Sequence, residues 1–260
     1  MNLNPLDKAA YISNARIIIR EYSNQCNIVN IALHNLKENA CPEKIDDDWL
    51  ALFMDKARLV SNKDFQMIWA KILSQECNEP DSIPKSLLFI LERLDKNDAE
   101  IFTNLCRLVI KFGNEFQPFL PEYSAEVWKP YGLSFDNIVQ LETLGLVKTE
   151  LNSFTTKLSA VANIIDKEEN SLKYFQHKKE FPEGIVTFPV GGVIFTKDGT
   201  ALYKSVSVEE YPDYWENVIL PVASNYIKNI TKKIYDRVML TLISSKIDIF
   251  GRKRYINSGA

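Results

Sequence analysis

The 260 residues are 46% hydrophobic with only 9 glycines and 11 prolines, a composition that excludes global disorder and lets long helices run uninterrupted. A formal net charge of −3, four cysteines far apart and two isolated histidines, His34 and His177, exclude a zinc knuckle or a redox motif built on short spacing. No apolar run nears the roughly 20 residues that cross a bilayer, and Met1–Asp7 lacks the basic start and apolar core of a signal peptide, so a cytoplasmic protein is expected.

The first element is long. Asn4 is a good cap and Pro5 suits a first helical turn. Ile12, Ala15, Ile19, Tyr22, Cys26, Val29, Leu33 and Leu36 then recur at alternating steps of three and four, a heptad seam. Such a seam fits a helix packed on its own protein and equally a coiled coil with a second copy. Cys41-Pro42 breaks the pattern.

Asp46-Asp47-Asp48 precedes an amphipathic run through Trp49, Leu52, Phe53, Lys56 and Leu59, and reads as acidic capping of a helix rather than as a magnesium site. Ser61-Asn62-Lys63-Asp64 resembles a capping box with Asp in place of Glu. It opens a helix carrying Phe65, Ile68, Trp69, Ile72 and Leu73 on one face, ended by Pro80. Pro84 begins a further helix through Leu87, Leu88, Leu91 and Leu94. Asp95 and Asp98 start another, with Phe102, Leu105, Cys106 and Val109 inward and Gly113 as its stop. Five helices on short connections predict a bundle over 1–113.

Residues 114–133, with Pro118, Pro121 and Pro130, read as an irregular linker and domain boundary. Ser134 caps a short helix, and Leu144-Gly145-Leu146-Val147 hands it to a strand, as in winged-helix domains. Ile185–Phe188 and Val193–Phe195, flanking Gly191-Gly192, predict a hairpin. The polar segment 157–180 reads as an insertion, and Thr196 caps a helix holding Gly199 and Leu202. This completes a winged-helix-like module over 134–208. Pro212 then opens a long helix, expected over 209–250, followed by a basic tail, 251–260. From Lys228 to Arg254 there are eight basic and two acidic residues, leaving −9 on the remainder of the chain.

The expected fold is therefore mostly α: an N-terminal bundle with a long heptad helix, a small α+β winged-helix-like module and a long C-terminal helix. Trp49, Phe53, Trp69, Leu73 and Phe102 are its candidate core.

Several of these residues form a recognisable pattern. Gln25-x-Asn27, Asp48-Trp49, Phe53, Gln66-x-x-Trp69-Ala70-Lys71-Ile72-Leu73, Glu76, Pro80, Leu91, Leu94, Asp98-Ala99 and Phe102 resemble an uncharacterised bacterial family, domain of unknown function 2806. Leu144-Gly145-Leu146-Val147 and Thr196-x-x-Gly199-x-x-Leu202 extend the resemblance, which covers about residues 16–215 and is densest between 46 and 102. It implies no activity or cofactor. It implies, by association, a setting near mobile elements and anti-phage defence genes. The chain departs from the family in carrying Asp81 where a glycine usually follows the proline, and in its basic tail.

No P-loop, nucleophile elbow or histidine–carboxylate cluster is present, and Glu76 has no partner carboxylate fixed by spacing. We expect neither catalytic residues, metal nor cofactor, and read Glu76 as a buried hydrogen-bond hub. The expected function is an interaction or scaffold protein that self-associates through Ile12, Ile19, Tyr22, Val29 and Leu33, or binds a protein partner. A winged-helix regulator of nucleic acid is the alternative. It is weakened because helix 134–144 offers Asp136, Asn137, Gln140, Glu142 and Thr143 but no cation. Lys228, Lys232, Lys233 and Arg237, with Arg252-Lys253-Arg254, form a basic amphipathic stretch. It fits a packed surface helix, a contact with an acidic partner, or peripheral contact with an anionic membrane.

Overall fold

A computed structural model describes residues 4–112, 115–120, 128–157, 187–206, 208–209, 211–214, 217–218 and 221–222. Contacts divide the chain into two compact units, Met1–Thr155 with Pro189–Glu210, and Thr156–Phe188 with Tyr211–Ala260. The chain is mostly helical, with small two-stranded sheets.

Helix α1 spans Pro5–Leu33, and Asn4 accepts a hydrogen bond from the Asp7 amide at 2.9 Å. His34 and Asn35 form a turn beyond its end and Leu36 follows that turn, so the expected seam is one step too long. Helix α2, Asp47–Ala57, starts where Asp46 accepts from the Trp49 amide, which is the capping role expected of the aspartate triplet. Helix α3, Lys63–Asn78, is capped by Asn62, not by Ser61. Ser61 instead accepts from Asn24 of α1, because its hydroxyl faces the bundle. Helix α4, Lys85–Arg93, follows Pro84. Helix α5, Lys96–Cys106, opens with a reciprocal capping box between Asp95 and Asp98.

The core follows from the apolar stripes of α2 to α5. Trp49 stacks on Phe53 with ring centroids 5.2 Å apart, and Phe53 meets Trp69 at the same separation, tilted by 60°. Trp49, Phe53, Trp69, Leu73 and Phe102 are all buried. The Trp49 indole donates to the Ile83 carbonyl at 3.0 Å, satisfying its only polar atom inside the core.

Helix α5 stops at Cys106, seven residues before Gly113, where it was expected to end. Val109 thus belongs to strand β1, Val109–Phe112, which pairs antiparallel with β2, Glu115–Pro118. A short apolar run of this length carries no periodicity that separates strand from helix. Strand β2 lies inside the stretch read as a linker, and 1–113 shares one unit with 134–155 and 189–208. The reason is a set of bonds across the expected boundary. Gln140 donates to Asp98 at 2.5 Å, Ser86 donates to Asp198 at 2.7 Å, and the Phe195 amide donates to Gln117 at 2.8 Å.

Helix α6, Phe135–Leu144, is capped by Ser134 and ends at Gly145, whose φ of 87° is left-handed. Strand β3, Val147–Lys157, pairs with β4, Thr187–Phe195. The diglycine expected to form a hairpin turn lies within β4 instead. Gly191 has φ 120°, and a Cβ there would sit 2.1 Å from the Leu120 carbonyl oxygen, so its role is close backbone approach rather than a turn. Helix α7, Lys197–Ser205, is capped by Thr196, as expected.

Helix α8, Pro212–Tyr214, begins where the C-terminal helix was expected. Most of that expected helix lies outside the described residues, and so does the basic tail. So do Lys228, Lys232, Lys233, Arg237, Arg252, Lys253 and Arg254, and the insertion beyond Lys157.

Candidate functional site

Gln25, Gln66, Glu76 and Asp98 of the signature are engaged within the fold, whereas Asn27 and Asp48 are exposed. Glu76 is buried on α3, and its carboxylate accepts from the Asp81 amide at 2.7 Å, the Ile83 amide at 2.8 Å and the Ser82 hydroxyl at 3.5 Å. The side chain closes the α3–α4 turn by satisfying its amides, and the hub role expected of Glu76 is what the geometry provides. Gln66, also buried, donates to Asn24 of α1 and to the Val60 carbonyl. Asn24 in turn donates to the Arg58 carbonyl and the Ser61 hydroxyl, and Gln25 donates to the Met54 carbonyl. Together they fasten the end of α2 and the α2–α3 turn onto α1. This hub was missed from the sequence, although the pairing of polar Asn24-Gln25 with Ile28 and Ala32 at steps of four was its signal.

Among the described residues no group of three or more His, Cys, Asp or Glu side chains could hold a metal ion. Asp46 pairs with Lys85 at 2.9 Å. That bond and the Trp49 amide hold its carboxyl below the ordinary value of 3.8. Burial pushes the Cys106 thiol well above its ordinary range, and burial with the nearby Glu76 charge raises Cys77. His34 is on the surface, its ring Nδ1 2.7 Å from the Asn30 carbonyl, and His177 lies outside the described residues. No described helix is long and apolar enough to cross a membrane.

What stands apart is α1. Its buried residues are Asn24, Ile28 and Ala32, all in its second half; from Pro5 to Arg20 none is buried. At 100° per residue the heptad seam lies about 150° around the helix from that packed stripe. The seam therefore faces away from the bundle. Ile19 is 67% exposed, Tyr22 68% and Leu33 57%, while Ile12 is exposed and Val29 half-buried. Two residues outside the expected seam, Tyr11 and Ile18, widen the same band at 71% and 65%. From Tyr11 to Leu33 the band carries no charged residue. Cys26 sits within it, half-buried, and its contact with the Tyr22 hydroxyl raises the phenol above its ordinary value of 10.0. The expected self-association residues thus share one outward face, and the core residues share another region.

No curated protein and no solved structure matches the chain. The profile of the family described as "Protein of unknown function (DUF2806)" matches residues 13–218, so the chain belongs to that family.

Proposed function

We propose that this chain is a non-enzymatic interaction protein whose helical unit presents α1 as a docking element. The observation that carries the reading is the outward apolar face of α1. Folding alone does not require six large side chains to stand in solvent along one helix, and exposed patches of this size mark interaction sites. The engagement of Glu76, Gln66 and Asp98 in holding turns and helix junctions supports a structural rather than catalytic use of the signature.

The order α6, β3, β4 is that of a winged-helix-like module, and we read it so. Nucleic-acid binding through it is disfavoured. The exposed positions of α6 are Phe135, Asp136, Val139 and Thr143, which bring two apolar groups and a negative charge where phosphates would have to sit.

The test places a photo-crosslinking amino acid at Tyr22 of the full chain, with Glu100, exposed on α5, as the control position. A covalent adduct with protein from position 22 and none from 100 supports the reading. Absence of any protein adduct at 22 overturns it.

A further inference from the structure

We propose that the partner of α1 is a second copy of the same chain, the two α1 faces packing on each other as a paired-helix seam. The inference rests on the docking reading above and adds the identity of the occupant.

Three observations favour a second copy. The first is period. The seam residues Ile12, Ala15, Ile19, Tyr22, Cys26, Val29 and Leu33 repeat every 3.5 residues on average, which keeps one stripe facing a second helix over its whole length. A groove on a globular partner engages i, i+3, i+4 and i+7 anchors over about two turns, whereas Tyr11 to Leu33 runs on the order of 33 Å. The occupant that matches this length and period is another long heptad helix, and α1 itself is one.

The second is area. Tyr11, Ile12, Ile18, Ile19, Tyr22 and Leu33 between them expose roughly 800 Å², about what each partner contributes to a standard-size interface. A two-fold pair uses the same patch on both chains, so one exposed face supplies both sides.

The third is charge. The positions flanking the seam centre on its open side, Arg16, Ser23 and Asn30, include a single charged residue, so pairing two copies opposes no row of like charges. Glu21, on the bundle side of the helix, is engaged with Arg58 at 2.9 Å and does not enter the seam.

The experiment measures the mass of the intact full chain by sedimentation over a range of micromolar concentrations, beside the double variant Ile12→Asp/Ile19→Asp. Both positions lie outside the packed stripe, so the variant should keep its helical circular-dichroism signal and serve as a folded control. Two-chain mass for the parent, and a dissociation constant raised at least about 100-fold in the variant, are expected from two buried charges on each chain. Single-chain mass at high micromolar concentration overturns the inference, as does two-chain mass retained by the variant. The Tyr22 crosslinker separates this from the docking reading. Adducts between differently isotope-labelled copies support the second copy. Adducts only with another protein overturn the second copy and leave the docking reading standing. Adducts only within one chain, or none, overturn both.

Discussion

The Asp81 amide donates to the Glu76 carboxylate at 2.7 Å, and Asp81 itself has φ 65°, the single positive-φ non-glycine among the described residues. The two facts belong together. The left-handed turn at 81 is what aims the amides of 81 and 83 at one buried carboxylate. Glycine, which the family resemblance led us to expect at this position, adopts that conformation without steric cost.

Two substitutions separate these effects. Asp81→Gly relieves the turn and should raise stability by about 0.5 kcal/mol, read as a shift in denaturant midpoint at unchanged slope. Glu76→Ala leaves two amides of the turn without their acceptor and should lower it by about 2–4 kcal/mol. If Asp81→Gly destabilises, the side chain of Asp81 contributes more than the turn costs.

Trp69 is 1% exposed and is held between α2 and α3 by Phe53. Trp69→Ala opens a large cavity and should cost about 3–5 kcal/mol. A variant with the parent's melting temperature would show that the aromatic cluster does not carry the bundle.

Thiol labelling should split the four cysteines into pairs. Cys77 and Cys106 are buried and have raised thiol pKa values, so they should stay unlabelled in the native chain near pH 8 and react only on unfolding. Cys41 should label in the native state. Cys26 should label in dilute protein and become protected as concentration rises, if α1 pairs as inferred. Mass spectrometry of the labelled peptides reads all four sites, and rapid native labelling of Cys106 would contradict its placement in the core.

The Asp46–Lys85 pair gives a pH dependence of definite sign. The Asp46 carboxyl is depressed in the folded chain, so the stability it contributes is present above its unfolded value of 3.8 and is lost as pH falls through the lower folded value. Asp46→Asn keeps a cap of similar quality while removing the charge. Thermal melts from pH 6 to pH 3 should therefore show a shallower acid decline in the variant. Identical slopes would mean that Asp46 acts as a cap alone.

Duplex DNA should bind weakly at physiological salt, because α6 presents no cation at its surface. Sub-micromolar, sequence-selective binding abolished by Asn137→Ala with Gln140→Ala would assign the α6–β3–β4 module to nucleic acid instead.

Capping was legible from the sequence because it is local. Asp46, Asp95, Ser134 and Thr196 each bond an amide three residues on, and that spacing is visible without tertiary context. Long-range pairings were less so. Val109–Phe112 reads equally as the tail of a helix until Glu115–Pro118 is placed beside it. Gly191-Gly192 looks like a turn because the backbone that needs the space, Leu120, lies more than seventy residues earlier. The seam of α1 was legible as a pattern, but its direction was not. The helix carries two stripes, and the bundle takes the sparser one. Polar Asn24 finds its partners in the α2–α3 turn and Gln25 finds its partner at Met54 near the end of α2, whereas the richer stripe has no such anchors.

The junction of Leu146 with Thr196 and Gly199 bears on how this chain can vary. The Thr196 amide donates to the Leu146 carbonyl at 3.1 Å and its hydroxyl donates to Gly145 at 2.6 Å, while the same Leu146 oxygen lies where a Cβ on Gly199 would have to be. Two points some fifty residues apart in sequence are thereby pinned to one spot. Any side chain at 199 would have to push the Leu146 carbonyl aside, so this pin tolerates glycine there and resists anything larger.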